Sequence, residues 1–337
     1  MTLEELRADF AAQGQPAFHA LQVYRWLHRG VRSFSEMSDQ SKAFRQKLSE
    51  RYYIAAAEIE QRLVSKLDGT AKYLLRLPDG EHVECVLMEY HHGYSICISS
   101  QVGCKMNCSF CATGKSGFSR NLTASEMLSQ IQTVQQDQGI RISNVVLMGS
   151  GEPFDNYDNV VKFLRLVNDP KGLNISLRNI SLSTCGLVPK MRAFADEGLP
   201  VTLSISLHAP NDGIRQKIMP VAHAYAIEDV LSACRNYVEK TGRRVVFEYA
   251  LIKNVNCDVK CAEELARRLR GLQCHVNLIP LNAVKERNLE APTKQDVQAF
   301  LKRLELKNIS ATVRREMGAD IDGACGQLRR KALTEGI

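Results

Sequence analysis

The sequence has 337 residues, 45% of them apolar, which is enough to bury a large α/β core and a small appended module. Its 44 basic and 37 acidic residues give a formal charge of +7, which suits a polyanionic partner but is also common in enzymes that bind none. No run approaches about 18 consecutive apolar residues, and the charged amphipathic start differs from a signal peptide, so we expect a cytoplasmic protein with no membrane association. Eleven cysteines in that compartment stay reduced, which favours metal binding or thiol chemistry over disulfides.

The first part of the chain has the apolar spacing of helices. We predict a helical accessory domain over residues 1–60, with one of its helices at Ser38–Leu48. Between Pro16 and Tyr52, seven basic residues stand against three acidic ones. The basic residues are Arg25, Arg29, Arg32, Lys42, Arg45, Lys47 and Arg51. This excess indicates either a face that binds RNA phosphates or an ordinary solvated helical surface.

The next segment changes to short alternating runs that are separated by Asp-Gly turns at Asp68-Gly69 and Asp79-Gly80. This pattern predicts a β-hairpin extension over residues 61–90. It leads directly into the core of the protein.

Beyond residue 90, strand-like runs alternate with helix-like runs. The predicted strands are Tyr94–Ser99, Asn144–Met148, Ser176–Ser183, Val201–Leu207, Val245–Leu251, Cys274–Ile279 and Ser310–Val313. The predicted helices are Ala124–Gln136, Tyr157–Val167, Val188–Asp196, Ile227–Glu239, Val259–Leu269 and Lys294–Leu304. Repeated strand–helix units imply parallel strands with helices outside, so the fold class is α/β with a partial (β/α)6 barrel. The core is assigned to residues 91–330 and a C-terminal tail to residues 331–337.

Cys104, Cys108 and Cys111 form a C-x3-C-x2-C motif on the loop after the predicted strand Tyr94–Ser99. Three thiolates from one loop can hold three irons of a cubane and leave the fourth open, whereas most iron–sulfur carriers use four cysteines. A structural zinc site normally closes with four ligands, and no Cys or His follows at finger spacing. The C-x2-C pair alone also fits a thioredoxin-like motif, but Cys104 and the missing sequence context disfavour it.

With Phe110 directly before its last cysteine, this motif resembles the cluster motif of the radical S-adenosylmethionine (SAM) superfamily. Further segments resemble the RlmN and Cfr family of radical SAM adenine methyltransferases, and the matches run from about Arg25 to Leu328. These segments are Ser99–Cys104, Val146–Pro153, Ser206–Pro210 and Asp322–Leu328. The resemblance implies a [4Fe–4S] cluster held by the three cysteines, SAM as cofactor, and methylation of an adenine carbon in RNA.

Candidate SAM-binding residues follow the predicted strands, where the loops of a barrel build the site. By the resemblance, Gly151 and Glu152 hold the amino group of SAM. Other residues at matching positions bind SAM through hydroxyl, backbone and amide groups. They are Ser183, Ser206, Leu207, His208 and Asn282. Each of these residues alone is also typical of a cap or a turn.

Two cysteines and a carboxylate match the reactive residues of the family. By the resemblance, Cys325 takes a methyl group from one SAM, and a second SAM activates that methyl group for attack on adenine. Cys97 then releases the product by forming a disulfide with Cys325, although it could equally be a small buried residue. Glu84 matches the proton acceptor, and it alternates onto the same strand face as Val86 and Met88, where a carboxylate is unexpected.

The resemblance implies methylation of adenine carbon 2 in 23S rRNA, at the peptidyl-transferase centre, and of an adenine next to the anticodon in tRNA. It also implies two SAM molecules per turnover, an electron donor such as flavodoxin, and a monomeric enzyme. A Cfr-type enzyme that methylates carbon 8 and confers antibiotic resistance shares the same residues. The basic N-terminal domain and the form of Val146–Pro153 favour carbon 2. A non-catalytic iron–sulfur sensor that binds RNA would leave Cys97, Glu84, Glu152 and Cys325 without a task. A zinc-dependent RNA-binding module is a third alternative, which metal and sulfide analysis would distinguish.

Overall fold

The computed structural model describes residues 1–281, 289–321 and 328. Within these residues the chain forms ten α-helices and twelve β-strands. The helices are α1 Leu3–Ala12, α2 Ala17–His28, α3 Lys42–Arg51, α4 Ala124–Gln138, α5 Tyr157–Asn168, α6 Val188–Asp196, α7 Asp212–Ile218, α8 Ile227–Thr241, α9 Val259–Leu269 and α10 Lys294–Leu306. The strands are β1 Glu58–Val64, β2 Ala71–Arg76, β3 His82–Tyr90, β4 Gly93–Cys97, β5 Gln101–Gly103, β6 Phe118–Asn121, β7 Ile142–Leu147, β8 Ile180–Thr184, β9 Thr202–Ser206, β10 Val245–Leu251, β11 Cys274–Pro280 and β12 Ala311–Val313. None of the described helices combines the length and the apolar character that crossing a bilayer needs.

Ten of the strands form one sheet in the order β1-β2-β3-β4-β7-β8-β9-β10-β11-β12. Every neighbouring pair from β4 to β12 is parallel. The strands β1, β2 and β3 extend the sheet with antiparallel pairs at its β4 edge. The chain thus has the predicted α/β class, a partial (β/α)6 barrel whose helices connect successive parallel strands.

The two faces of this sheet differ in chemistry. On one face, apolar side chains such as Ile96, Leu182 and Ile205 are fully buried in the core shared with the helices. Side chains alternate along a strand, and the register therefore puts a second set of residues together on the opposite face, here called the inner face. Its polar members include Lys72, Glu84, Ser183, Ser204, Ser206, Glu248 and Asn277. A polar face turned away from the helices can line a ligand site.

The N-terminal helices pack directly on the barrel. Leu3 of α1 and Leu48 of α3 are buried in the same apolar core as the sheet. The hydroxyl of Tyr24 donates to Asp169 at 2.8 Å, in the segment between α5 and β8. These contacts attach the first three helices to the side of the barrel where the parallel strands begin.

Two predicted element boundaries are wrong. The third helix follows Ser41, whose hydroxyl accepts from the Phe44 N–H at 3.2 Å, and does not begin at Ser38. The strand that was predicted to start at Ser176 starts at Ile180, because a short 3₁₀ helix precedes it. In both cases a serine makes a local side-chain cap, and several serines nearby offer equally good caps.

Candidate active site

The three-cysteine loop lies between the strands of a small two-stranded sheet, β5–β6, which the sequence did not predict. Cys104 follows Gly103, and its N–H donates to the Gly117 carbonyl at 2.9 Å. Gly103 has φ +81°, and a Cβ added there would lie 1.9 Å from the Gly117 carbonyl oxygen. Only glycine can therefore occupy position 103 without forcing the two strands apart.

The three thiols lie near one another and are partly exposed. Burial, together with the neighbouring Cys111, raises the pKa of Cys104 to about 11, although a main-chain hydrogen bond from Met106 opposes the effect. Burial also raises the pKa of Cys108 to about 12, with added effects of Cys111 and Cys104. Loss of their protons is thus unfavourable in the protein alone, which is the situation that a bound metal centre reverses.

The donor set fits an iron–sulfur cluster. Within the described ranges, no three His, Cys, Asp or Glu side chains converge on a point where one metal ion would sit. In a cubane each thiolate binds a different iron, so the three sulfur atoms do not need to surround one point.

Gly151 and Glu152 follow β7, directly beside β5. A Cβ on Gly151, which has φ +108°, would lie 2.6 Å from the Gln101 side chain. The Glu152 carboxylate is buried and accepts from the Phe154 N–H at 3.0 Å and the Cys185 N–H at 2.7 Å. Burial raises the pKa of Glu152, and these N–H donors oppose that effect. The side chains of Thr184 and Cys185 also donate to this carboxylate, so Glu152 is held in place by donors from two loops.

The next candidates lie at the ends of β8 and β9. The hydroxyls of Ser183 and Ser206 are 3.3 Å apart on the inner face. Leu207 is fully buried in the apolar core, so only its main chain could contact a ligand. Burial lowers the pKa of His208 to about 3, and its Nδ1 accepts from the Ala250 N–H at 2.9 Å. The imidazole is therefore neutral with its hydrogen on Nε2.

Glu84 and Cys97 are both buried on the inner face. Cys97 is paired with Val86, so Glu84 is its diagonal neighbour across the β3–β4 pair, at roughly 7–8 Å. The Glu84 carboxylate forms an ion pair with Lys72 at 3.2 Å. The structure thus brings the predicted carboxylate and the predicted resolving thiol together on one surface.

Two predicted site residues, Asn282 and Cys325, lie outside the described residues. Leu328, three residues after Cys325, is described and packs against Leu74 on the inner face. Leu74 is paired with Glu84 across the β2–β3 ladder. The chain therefore returns to the inner face beside Glu84 shortly after position 325.

Two polar residues of the site were missed by the sequence analysis. Gln101 accepts from the Glu152 N–H at 2.8 Å and so links the cysteine loop to the loop after β7. Arg215 is fully buried and donates to the Cys185 carbonyl at 2.6 Å. Gln101 lies within Ser99–Cys104, one of the segments that resemble the family, so the sequence does carry a signal for it. Arg215 carries no local signal, since only the tertiary contact of α7 with the loop after β8 buries it.

Two family models match this chain. The radical SAM superfamily model matches residues 98–269, which contain the cysteine loop and the strand ends described above. The model of the ribosomal RNA large subunit methyltransferase N-terminal domain matches residues 1–54. A curated protein of Lachnoclostridium phytofermentans, "Probable dual-specificity RNA methyltransferase RlmN", is 56% identical over 98% of this chain and 93% of its own length. The chain belongs to the RlmN family of radical SAM RNA methyltransferases.

Other relatives agree with this membership of the RlmN family. A protein of Clostridium perfringens with the same name is 54% identical over 98% of this chain and 96% of its own length. Among solved structures, that of a radical SAM methyltransferase from Sphaerobacter thermophilus matches with a TM-score of 0.92 and 42% identity, over 97% of both chains. The matches to the RlmN family thus cover nearly the whole chain, and as a radical SAM family it implies a [4Fe–4S] cluster and SAM.

Proposed function

We propose that this chain methylates carbon 2 of adenine in 23S rRNA, at the peptidyl-transferase centre, and of an adenine next to the anticodon in tRNA. The observation that carries the proposal is the strand register, which aligns Glu84 and Cys97 with Ser183 and Ser206 on the inner face. A simple methyltransferase or an iron–sulfur sensor would need neither the buried carboxylate nor the thiol. A mechanism through a methylated cysteine uses both.

The proposed roles follow from the chemistry of the side chains. Cys104, Cys108 and Cys111 would hold the cluster, which would supply the electron for cleavage of SAM, and two SAM molecules per turnover would supply the methyl group and its activation. Cys325 carries the methyl group, because a thiolate displaces a sulfonium methyl without radical chemistry. Glu84 accepts the proton of the substituted adenine carbon. Cys97 then attacks the Cys325 sulfur as a thiolate. The bond between that sulfur and the methylene carbon breaks, its electron pair stays with the methylated adenine, and the methylene carbon takes up a proton to become the methyl group, while the two sulfurs form a disulfide.

The SAM-binding roles belong to the residues at the strand ends. Glu152 and Gly151 accept hydrogen bonds from the amino group of SAM, and the hydroxyls of Ser183 and Ser206 form hydrogen bonds with SAM. Main-chain groups of Leu207 and His208, together with Asn282, complete the set. The neutral His208 suits a hydrogen-bonding or stacking role rather than an ionic one.

The remaining parts of the chain are assigned by charge and position. We infer that the domain at residues 1–60 binds RNA through its exposed basic residues, that residues 61–90 form an extension of the core at residues 91–330, and that residues 331–337 are a tail. The enzyme acts as a monomer, with an electron donor such as flavodoxin. The basic excess of the first domain supports the RNA role.

The test uses Cys97→Ala, Cys325→Ala and the double variant. Cys97→Ala deletes the resolving thiol, so the enzyme should accumulate as a covalent adduct with RNA through a thioether that reductant does not break. Nuclease digestion should leave one nucleotide on the Cys325 peptide. Cys325→Ala and the double variant should form no adduct, since the methyl carrier is missing.

Cys85→Ala is the matched control, because Cys85 is equally buried but lies on the opposite face of β3. It should turn over like the unmodified enzyme. Normal turnover by Cys97→Ala, or an adduct on another cysteine, would refute the two-thiol mechanism. Mass spectrometry of digested RNA fixes the position of the methyl group, and an 8-methyladenine product would replace the carbon-2 assignment with the Cfr-type one.

A further inference from the structure

The ion pair between Lys72 and Glu84 is almost completely shielded from solvent. Their side chains are 0% and 4% exposed, and Lys72 Nζ lies 3.2 Å from Glu84 Oε2. Both residues project from adjacent antiparallel strands onto the inner face, where Lys72 is paired with Val86 and Glu84 with Leu74. The pair is thus a charged island beside apolar residues of the same face.

Such a pair is a poor way to stabilise a sheet. Removing two charges from water costs several kcal/mol for each ion, and well-packed apolar residues can often replace a buried ion pair without loss of stability. The neighbours Leu74, Val86 and Met88 show that apolar side chains suit this surface. A chemical use therefore explains the two charges better than stability does.

We propose that Lys72 is a positioning residue that holds Glu84 as an oriented, ionised carboxylate on the inner face, ready to accept a proton from RNA. The inference rests on the proposed function, in which Glu84 is the base. In the step, the C–H bond of the substituted adenine carbon breaks, its electron pair stays on the adenine ring, and the proton goes to a Glu84 oxygen. Lys72 keeps its proton throughout.

The physical reason is that burial and the ammonium group act in opposite directions. Burial alone favours the protonated carboxyl group, which cannot accept a proton, whereas a cation at hydrogen-bonding distance favours the carboxylate. The ammonium group of Lys72, 3.2 Å from the carboxylate, therefore favours the form of Glu84 that can accept a proton. Loss of the Lys72 charge should favour the protonated carboxyl group instead.

Other titratable groups near Glu84 must be separated from this effect. His82 lies two residues away on the same face of β3, and its ring nitrogen is 3.9 Å from Glu60. Arg76 of β2 pairs with Glu60 at 3.2 Å further along the same ladder. Cys97 of β4 faces the same surface. The hydroxyl of Ser99 donates to the Glu84 main-chain carbonyl, not to its carboxylate.

The experiment follows adduct release after a pH jump in the full-length, reconstituted enzyme with an RNA substrate. At neutral pH, Lys72→Met should accumulate the covalent RNA adduct and release it at least tenfold more slowly than the unmodified enzyme. A jump to alkaline pH should restore release, since the carboxyl group then ionises without help. The pH below which release slows should be higher in Lys72→Met than in the unmodified enzyme.

Three variants serve as controls. Lys72→Arg keeps the charge and should release the adduct at the normal pH. Lys72→Gln is polar but neutral, and it should show the same slow release that is expected of Lys72→Met. It therefore replaces Lys72→Met in the test if that variant folds poorly. Lys66→Met removes an exposed lysine from the β1–β2 turn and should change nothing. His82→Gln should leave the acid limb in place. Infrared spectra of the metal-free protein, compared with those of Glu84→Gln, report the ionised carboxylate directly without any turnover.

The outcomes separate the inference from the proposed function. If Glu84→Gln turns over normally, Glu84 is not the base and the proposed function fails at that residue. A second outcome is that Glu84→Gln accumulates an adduct that no pH jump releases, which supports Glu84 as the base. If both neutral Lys72 variants then release their adducts at the normal pH, the ion pair is structural and the inference about Lys72 is wrong.

Discussion

Ser99 and Ser150 are neighbouring buried serines, and only the Ser99 hydroxyl has hydrogen-bond partners within the described part of the chain. Ser99 Oγ accepts from the Ser150 N–H at 3.0 Å and donates to the Glu84 carbonyl at 2.7 Å, so it ties the loop after β7 to β3. Ser150 is 1% exposed, and its own hydroxyl has no hydrogen-bond partner within the described part of the chain. A buried hydroxyl without a partner loses its hydration and gains nothing in return.

We expect Ser150→Ala to raise the free energy of unfolding by about 1 kcal/mol, because it removes an unpaired polar group. Ser99→Ala, the matched control, should lower it by about 1–3 kcal/mol, since two main-chain groups lose their partner. Urea denaturation of the metal-free protein measures both as midpoint shifts at constant slope. Equal destabilisation by the two variants would contradict this account of Ser150.

The β5–β6 hairpin and the three-cysteine loop act as one element. The hairpin closes through Gly103 and Gly117, and both have positive φ angles. Their surroundings differ, however. A Cβ on Gly103 collides with a carbonyl oxygen at 1.9 Å, whereas a Cβ on Gly117 meets nothing within 4 Å. Geometry at Gly103 therefore determines where Cys104 is held relative to Cys108 and Cys111.

Gly103→Ala should abolish cluster assembly while the barrel stays folded, because the collision separates β5 from β6. Gly117→Ala should retain most of the iron, since it adds only backbone strain of about 1–2 kcal/mol. Iron and sulfide per chain after anaerobic reconstitution, together with far-ultraviolet circular dichroism, test both variants. A full iron content in Gly103→Ala would show that the hairpin does not position the cysteines.

Across the whole molecule, the candidate active site and the basic N-terminal surface lie at different ends of the barrel. The site residues follow the carboxyl ends of the parallel strands. A surface cleft of about 290 Å³ lies instead beside the segment between α5 and β8, where strands begin. Its lining includes Arg25, Arg29 and Lys171. An RNA that reaches both places must extend from one end of the barrel to the other.

Replacement of Arg25, Arg29 and Lys171 by Gln should weaken binding of full-length RNA and reduce the slope of log affinity against log salt by about 0.7–0.9 for each lost phosphate contact. A short stem-loop that reaches only the active site should bind as before. Gln at Lys260, Lys302 and Lys307, which are exposed on or beside α9 and α10, is the charge-matched control. An unchanged salt slope in the first variant would exclude the cleft as a phosphate site.

Local patterns in the sequence were sufficient for the class of fold, the alternation of strands and helices, and the cysteine loop. Each of these depends on residues close in the chain: the spacing of Cys104, Cys108 and Cys111, or the alternation of Val86 and Met88 around Glu84. Strand-end placement of Gly151, Ser183 and Ser206 followed from the same periodicity. The helix start at Ser41 was missed because several nearby serines can cap a helix equally well.

Tertiary structure was needed wherever a role depends on partners far apart in the chain. The pairing of β3 with β4 and of β8 with β9 decides which side chains share the inner face, since a shift of one residue would turn each of them to the opposite face. The burial of Lys72 against Glu84 and of Arg215 against Cys185 depends on such long-range contacts. Sequence periodicity cannot identify those contacts, because a lysine or arginine in an apolar run is compatible with both solvent and ion-pair environments until the register brings a partner to it.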